Sequence, residues 1–508
     1  MNKTKNASRN ILFGVILKIY QIILPFALRT IIVHELGTEY LGLNSLFTSV
    51  LQVLNLAELG VGGAMVFSMY KPIAENNKDK ICALMRLYKL YYRIIGLVIL
   101  IVGLIITPFV PKLISGTVPE SMNIYILYIM NLSATVLSYW LFAYKNSILQ
   151  AHQRTDISSK VTIVTDTFKY ASQILFIYLT HNYYYFVLFL LVSQVLNNII
   201  TAIISNKLYP DYKPNGELEK KEVKQIQKRI KDLFTSKLGG VIVNSTDTIV
   251  ISSFLGLTIL AVYQNYFYIL NAVMSFIAII FNSITAGVGN SMITKLKEDN
   301  YKDFRVFTFL ICGVCGFCIS CFTSLFQPFM KLWMGSGRML PFSIVVCLNV
   351  YFWIYELIMM MSVYKDAAGI WHSDRFRPLT SGIVNLILNI ILVQFIGLYG
   401  IVLSTIISTL FISLPWIISN VFKFIFNRKP QKYILNIIKY TIITLITTVC
   451  VYFVNKVIYD LGINGFVIHL IITGILSLVI IWLLLFKDEL YPQAFNLICK
   501  MLKVKSKK

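Results

Sequence analysis

The chain has 508 residues, 57% of them hydrophobic and only 14% charged, with a mean hydropathy of +0.72. A soluble domain carries about a quarter charged residues, and here apolar runs of roughly 20 residues recur from end to end, so a soluble globular protein is excluded. The net charge of +23 sits in the polar breaks between those runs, which points to an anionic membrane surface and away from nucleic acid.

Lipid leaves no water for backbone groups, so only helices or closed barrels can cross it. The runs are too long and too evenly apolar for barrel strands. The fold class is therefore an all-α polytopic membrane protein of about 14 transmembrane helices. The predicted spans are 11–34, 41–68, 90–110, 121–144, 161–180, 184–206, 234–255, 259–293, 306–328, 341–363, 379–396, 399–422, 434–458 and 464–486.

The basic start, Met1–Asn10, leads into an apolar run that is too long for a cleaved signal peptide, so it reads as the first span. That span holds Lys18 and Arg29. They are 11 residues apart, about three turns, and share one helix face. Charges in a span cost about 2.5–3.5 kcal/mol at a helix centre and belong against protein or a wet cavity. Two readings are open: cations for a substrate phosphate, or long side chains that snorkel to the interface.

The second span carries Glu58 and ends in GVGGAM, Gly60–Met65. Its glycines, Gly60 and Gly62 among them, permit either close helix packing or a hinge. The fifth span holds Asp166 and Lys169, one turn apart, as a cavity acid with its cation or a simple ion pair. HNYYYF, His181–Phe186, fits an interfacial aromatic belt. The longest polar stretch, Asp211–Phe234, divides the chain near its middle.

Beyond it, Lys237 opens the seventh span, and Asp247 lies mid-span among Asn244, Ser245 and Thr246. That cluster suits sugar hydroxyls, a coupling cation or a proton. The eighth span ends in GVGNSM, with Gly287 and Gly289 as the matching hinge or packing glycines. The ninth contains CGVCGFCISC, Cys312–Cys321, which imitates an iron–sulfur spacing. It lies in an unbroken apolar run, so those cysteines read as small packing residues. Glu356 is central in the tenth span. Cofactors and metals are not expected, and no catalytic residue is assigned.

With the N-terminus placed inside, 37 of the 46 Lys and Arg fall in inside segments and 4 in outside loops. This asymmetry predicts both termini in the cytoplasm. The halves also repeat. Leu41–Leu43 matches Leu260–Val262 at a shift of 219, GVGGAM matches GVGNSM at 227, and Tyr144–His152 matches Tyr364–His372 at 220. Matches in the same order at nearly one spacing indicate two copies of a six-helix unit. Six is even, so both copies share one topology and are related by an axis along the membrane normal. The predicted domains are a first bundle 1–210, a cytoplasmic linker 211–233, a second bundle 234–425, and an extra helix pair with a basic tail, 426–508.

Two copies of six spans plus two more resemble the multidrug/oligosaccharidyl-lipid/polysaccharide (MOP) exporter superfamily. The opening KTKNASRN and the stretch from Leu36 to Met65, with Leu36-Gly37, Tyr40–Leu43, Leu46-Phe47 and Leu56–Ala64, resemble its polysaccharide-repeat-unit branch, the Wzx-type flippases. The resemblance implies a transporter, not an enzyme. It would move undecaprenyl-diphosphate-linked oligosaccharides from the inner to the outer leaflet of a bacterial plasma membrane, for capsule, O-antigen or exopolysaccharide assembly. Its implied partners are the lipid-linked oligosaccharide, anionic inner-leaflet lipids, and the polymerase and glycosyltransferases of the pathway. Lys18, Arg29, Lys237 and Asp247 are then candidates for the diphosphate and sugar, and Glu58, Asp166 and Glu356 for coupling. Alternatives are a lipid II (MurJ-like) flippase, a drug or cation antiporter, or, in another class, a membrane polymerase or glycosyltransferase. The short external loops argue against the last.

Overall fold

The computed structural model describes residues 3–116, 118–119, 122–456 and 462–501. The end of the basic tail (502–508) and the span ends predicted at 121 and at 457–458 lie outside these residues. Every regular element among the described residues is helical, as the sequence requires of a chain in lipid.

The chain divides into two compact units, residues 1–261 and 262–508. The first contains α1 (Lys3–Glu35), α2 (Thr38–Leu54), α3 (Val61–Ala74), α4 (Lys78–Ile106), α5 (Ile124–Trp140), α6 (Asn146–Ala151), α7 (Thr155–Thr180), α8 (Tyr183–Leu208) and α9 (Lys220–Leu255). The second contains most of α10 (Leu257–Thr294), then α11 (Lys297–Met334), α12 (Phe342–Ala367), α13 (Arg377–Ile396), α14 (Leu398–Ser408), α15 (Leu414–Asn420), α16 (Gln431–Lys456), α17 (Gly462–Leu485) and α18 (Tyr491–Met501).

Local chemistry sets the ends. Asn77, Asn123 and Asn182 each precede a helix, and their side-chain oxygens accept first-turn N–H groups at 2.9–3.3 Å, the usual N-cap satisfaction of orphan donors. Eleven helices among the described residues are long and apolar enough to cross a membrane, and two bent pairs bring the number to 13. The fifth predicted span, α7, is not among them; its threonines, Gln173 and the Asp166–Lys169 pair dilute its apolar content. The second span is one of the bent pairs. A 3₁₀ turn at Asn55–Glu58 and the left-handed Gly60 (φ 90°) separate α2 from α3, with a bend of 40°. The other bend, 48°, lies between α5 and α6, where Phe142 has φ 59°. By contrast, Gly287 and Gly289 lie inside the continuous α10.

In the first unit α9 packs along α2 and α3. Just past α9 the approach is closest: a Cβ on Gly42 of α2 would stand 2.2 Å from the carbonyl oxygen of Leu257, the first residue of α10, so only glycine allows the two backbones to meet. Thr258 Oγ1 donates to Glu39 Oε1 beside it at 3.0 Å.

Each unit contains a buried aspartate held by cations. In the first, Asp156 is fully enclosed and meets Arg154 (2.9 Å), Arg9 (3.8 Å) and Lys160 (3.8 Å). Asn10 Oδ1 accepts the Asp156 N–H, which ties α1 to α7. In the second, Asp374 accepts two bonds from Arg377 (2.8 and 2.9 Å), and Lys365 and Asn420 also donate to it.

The second unit has a polar seam between α13 and α14. Asn389 donates to Asn385, Asn385 to Thr405 Oγ1, and Ser381 to the Ser408 carbonyl. Leu398–Phe426 forms one 29-residue span that widens into π-helical turns at Thr409–Ser413 and Val421–Phe426. α16 packs along α11, and α17 packs on both. The four cysteines of the false motif lie along the unbroken α11; Gly316 there abuts Thr444 of α16 and Ile481 of α17. α10 and α11 each run for 38 residues. The Asn300 amide closes the corner between them by donating to the carbonyls of Ser291, Lys295 and Leu296.

Candidate functional site

The break at Gly60 does more than bend a span. It leaves Glu58 at the end of a 3₁₀ turn, with its carboxylate turned toward α3 and α4. Glu58 Oε1 accepts from the Gly62 N–H and from Tyr92 OH, both at 3.3 Å, and Tyr88 OH donates to Tyr92 OH at 2.6 Å. Tyr88 and Tyr92 are one turn apart on α4, so their rings meet along one face, with centroids 4.4 Å apart. The Tyr139 ring of α5 meets Tyr92 edge-on at 5.3 Å, and its hydroxyl donates to Asn55 Oδ1.

These groups wall a cavity of about 420 Å³ inside the first unit. The remaining wall is polar: Ser138, Asn146, Ser147 and Gln150, with Gln194 and Asn198 from α8. Gln150 and Gln194 are exposed and mark its mouth. The lining combines one carboxylate, four amides, hydroxyls and three tyrosine rings. This is the chemistry that binds sugar, since amides and carboxylates exchange hydrogen bonds with hydroxyls while rings cover the apolar faces. Lys237, on α9, lies within Coulombic reach of Glu58.

The other predicted residues are distributed elsewhere. Lys18 and Arg29 are both half-buried on α1 and do not line this cavity. Lys237 is exposed. Asp247 is buried on α9 near the seam with α2, where Ser245 donates to Gln52; the side chain of Asn244 lies outside the described ones. Asp166 and Lys169 form an ion pair of 2.7 Å. Glu356 is buried on α12 in the second unit, 1% exposed, and its Oε1 meets no hydrogen-bond donor among the described residues. Thus of the predicted acids Glu58 is the one that lines this cavity among the described residues, with Lys237 near it and Gly62 in its wall. The sequence reading passed over Tyr88, Tyr92, Tyr139, Gln194 and Asn198. The available signal was polar residues four apart inside apolar runs, at 88/92 and 194/198.

The second unit contributes an apolar groove of about 310 Å³ between α11, α12 and α16. Phe342, Trp353, Tyr452 and Phe453 line it, and Thr441, Thr444 and Thr448 form a narrow hydroxyl stripe along α16.

The sequence profile of a family described as polysaccharide biosynthesis protein matches residues 7–285, more than half of the chain. The chain belongs to that family. No curated protein matches its sequence. Among solved structures, the chain is similar to a lipid II flippase, MurJ, in an inward closed conformation. The identity is 16% and the TM-score 0.63, over 94% of this chain and 99% of that one. It is also similar to an inward-facing MATE-family multidrug resistance transporter of the MOP superfamily, at 16% identity and a TM-score of 0.60, over 79% of this chain and 94% of that one. A MOP superfamily transporter from Pyrococcus furiosus matches at 14% identity and a TM-score of 0.52, over 82% and 96%. The chain is therefore a multi-pass membrane protein with the fold of MOP transporters, as its apolar runs and opening motif led one to expect.

Proposed function

We propose that this family member is a flippase for lipid-linked oligosaccharides. It carries undecaprenyl-diphosphate-linked repeat units from the inner to the outer leaflet of a bacterial plasma membrane. The observation that carries the reading is the Glu58 cavity, a sugar-compatible chamber inside a membrane bundle of a polysaccharide biosynthesis protein. The apolar groove of the second unit suits an isoprenoid tail. The charge asymmetry of 37 to 4 supports cytoplasmic termini. In this reading residues 1–210 and 234–425 are the two moving copies, 211–233 the linker, and 426–508 the added pair and tail. Gly60, Gly62, Gly287 and Gly289 serve rocking of one copy against the other. Lys18 and Arg29 attract the diphosphate, Asp247 the sugar. Glu58 couples or selects, with Asp166 and Glu356 as secondary acids. A polymerase and glycosyltransferases supply and consume the cargo, and the protein itself makes no bond.

The test is complementation of a flippase-deficient strain with Glu58→Gln, and separately with Lys18→Ala and Arg29→Ala. Expected is loss of surface polysaccharide at unchanged protein levels, with lipid-linked repeat units held on the cytoplasmic leaflet. Full complementation by Glu58→Gln would remove the cavity from the mechanism, and full complementation by both α1 variants would remove those cations. Rescue of cells depleted of their lipid II flippase would redirect the reading to that substrate.

A further inference from the structure

A second cavity, of about 450 Å³, lies on the outside of the first unit at the start of α4. Its floor is α4 itself: Arg86, Lys89 and Arg93 fall at i, i+3 and i+7 and share one helix face. Its lid is the polar stretch before α9, through Pro214, Gly216 and Leu218. That stretch is fastened at several points. Asp211 pairs with Lys78 at 2.5 Å, Lys80 with Glu222, and Lys145 Nζ donates to the Tyr212 carbonyl. His152, Tyr209 and Tyr212 stack beside it, with centroids 4.3–5.8 Å apart.

The charges in this cavity are unbalanced. Arg86 is engaged by the Gly216 carbonyl at 2.9 Å and by Glu217 at 3.2 Å. No carboxylate among the described residues lies within ion-pair distance of Lys89 or Arg93. On the adjoining face of α4 runs an apolar, exposed stripe, Leu90, Ile94, Leu97 and Ile101 at i, i+4, i+7 and i+11. Trp140, itself 42% exposed, donates its indole N–H to the Arg93 carbonyl. An exposed tryptophan where an apolar strip meets cations marks the level of lipid headgroups. The cavity therefore has the section of a phospholipid, with cations at the phosphate and an open hydrocarbon track above.

We propose that Lys89 and Arg93 hold the phosphate of an anionic phospholipid, whose acyl chains lie on the Leu90–Ile101 face of α4. Arg93 grips phosphate oxygens in a fork and Lys89 supplies a point charge. The excess of cations selects an anionic head over a zwitterionic one, because an ammonium headgroup is repelled here. Glu217 is the one acid in the wall and works against the lipid by occupying Arg86.

The experiment is native mass spectrometry of the full-length protein, released from detergent with phosphatidylglycerol or phosphatidylethanolamine. Wild type retains phosphatidylglycerol. Lys89→Gln and Arg93→Gln each lower its retention about fivefold, and the pair about 25-fold, while Lys71→Gln, on an exposed pair with Glu75, leaves it unchanged. Glu217→Gln raises retention, an effect that misfolding cannot imitate. Equal retention by wild type and the double variant overturns the proposal, as does a Glu217→Gln variant that binds no more than wild type. Displacement of phosphatidylglycerol by an equal amount of undecaprenyl diphosphate also overturns it, because the site would then belong to the cargo.

Discussion

GVGGAM and GVGNSM are nearly the same words in the two copies, yet they are folded differently. The first breaks its span. Gly60 is left-handed, and around it the chain makes a 3₁₀ turn that hands Glu58 to a polar cavity. The second runs through α10 without interruption, and a Cβ on Gly287 would meet open space. The lesson is that similar letters do not dictate a local backbone. What decides the difference is the neighbour. Gly60 is pressed by α9: a Cβ there would stand 2.9 Å from the Ile230 carbonyl oxygen and 2.8 Å from Leu233 Cβ. Nothing comparable crowds Gly287.

The sharpest way to break this comparison is to exchange both glycines for alanine. Gly60→Ala meets a left-handed backbone and a crowded wall, and should cost roughly 2–4 kcal/mol. Gly287→Ala should be neutral or slightly stabilising, since alanine is the better helix former. Thermal unfolding of the purified protein in detergent reads both; equal shifts would show that the two motifs play one role.

A smaller effect is expected at the aspartate of the first unit. Burial by itself pushes the Asp156 carboxyl up, but the Arg154 hydrogen bond and charge, joined by Arg9 and Lys160, outweigh it and leave the group below its ordinary range. A depressed carboxylate gives stability that is complete above its unfolded value, near 3.9, and is lost as pH falls through the lower folded value. Asp156→Asn should cost about 1–3 kcal/mol at neutral pH. Its melting temperature should also fall less than that of wild type on acidification below about pH 4. Parallel acid profiles for the two proteins would mean that the cluster contributes nothing. The smallest effect belongs to Asp166→Asn. Its partner Lys169 is a single one-turn neighbour, so the loss should be about 0.2–0.5 kcal/mol in the same assay.

The all-helical membrane class and the spans, 14 expected against 11 to 13 among the described residues, were legible because hydrophobic length is a property of contiguous residues. The Glu58 cavity was only half legible. A carboxylate in an apolar run announces itself, whereas Tyr88, Tyr92 and Tyr139 resemble any membrane aromatics until α4 and α5 are packed together. Asp156 and Asp374 were hidden for a similar reason. Asp156 lies in the first turn of α7 and Asp374 in the turn before α13, each among ordinary surface charges, and only folding encloses it. At the glycine motif the letters left packing and a hinge both open, and they could not tell that Gly60 is left-handed while Gly287 lies inside a continuous helix.

The corner between α10 and α11 has a consequence for how motion here can be observed. Each helix is roughly 57 Å long at 1.5 Å per residue, against about 30 Å of hydrocarbon. Both helices therefore extend well past the hydrocarbon, and the corner that joins them is pinned by Asn300 and by the Lys295–Asp303 bridge. A rod that overshoots the bilayer amplifies any tilt of its embedded part. Ile293 and Leu296, 87% and 74% exposed at that corner, are the places where a fluorophore would sweep the widest arc during a transport cycle.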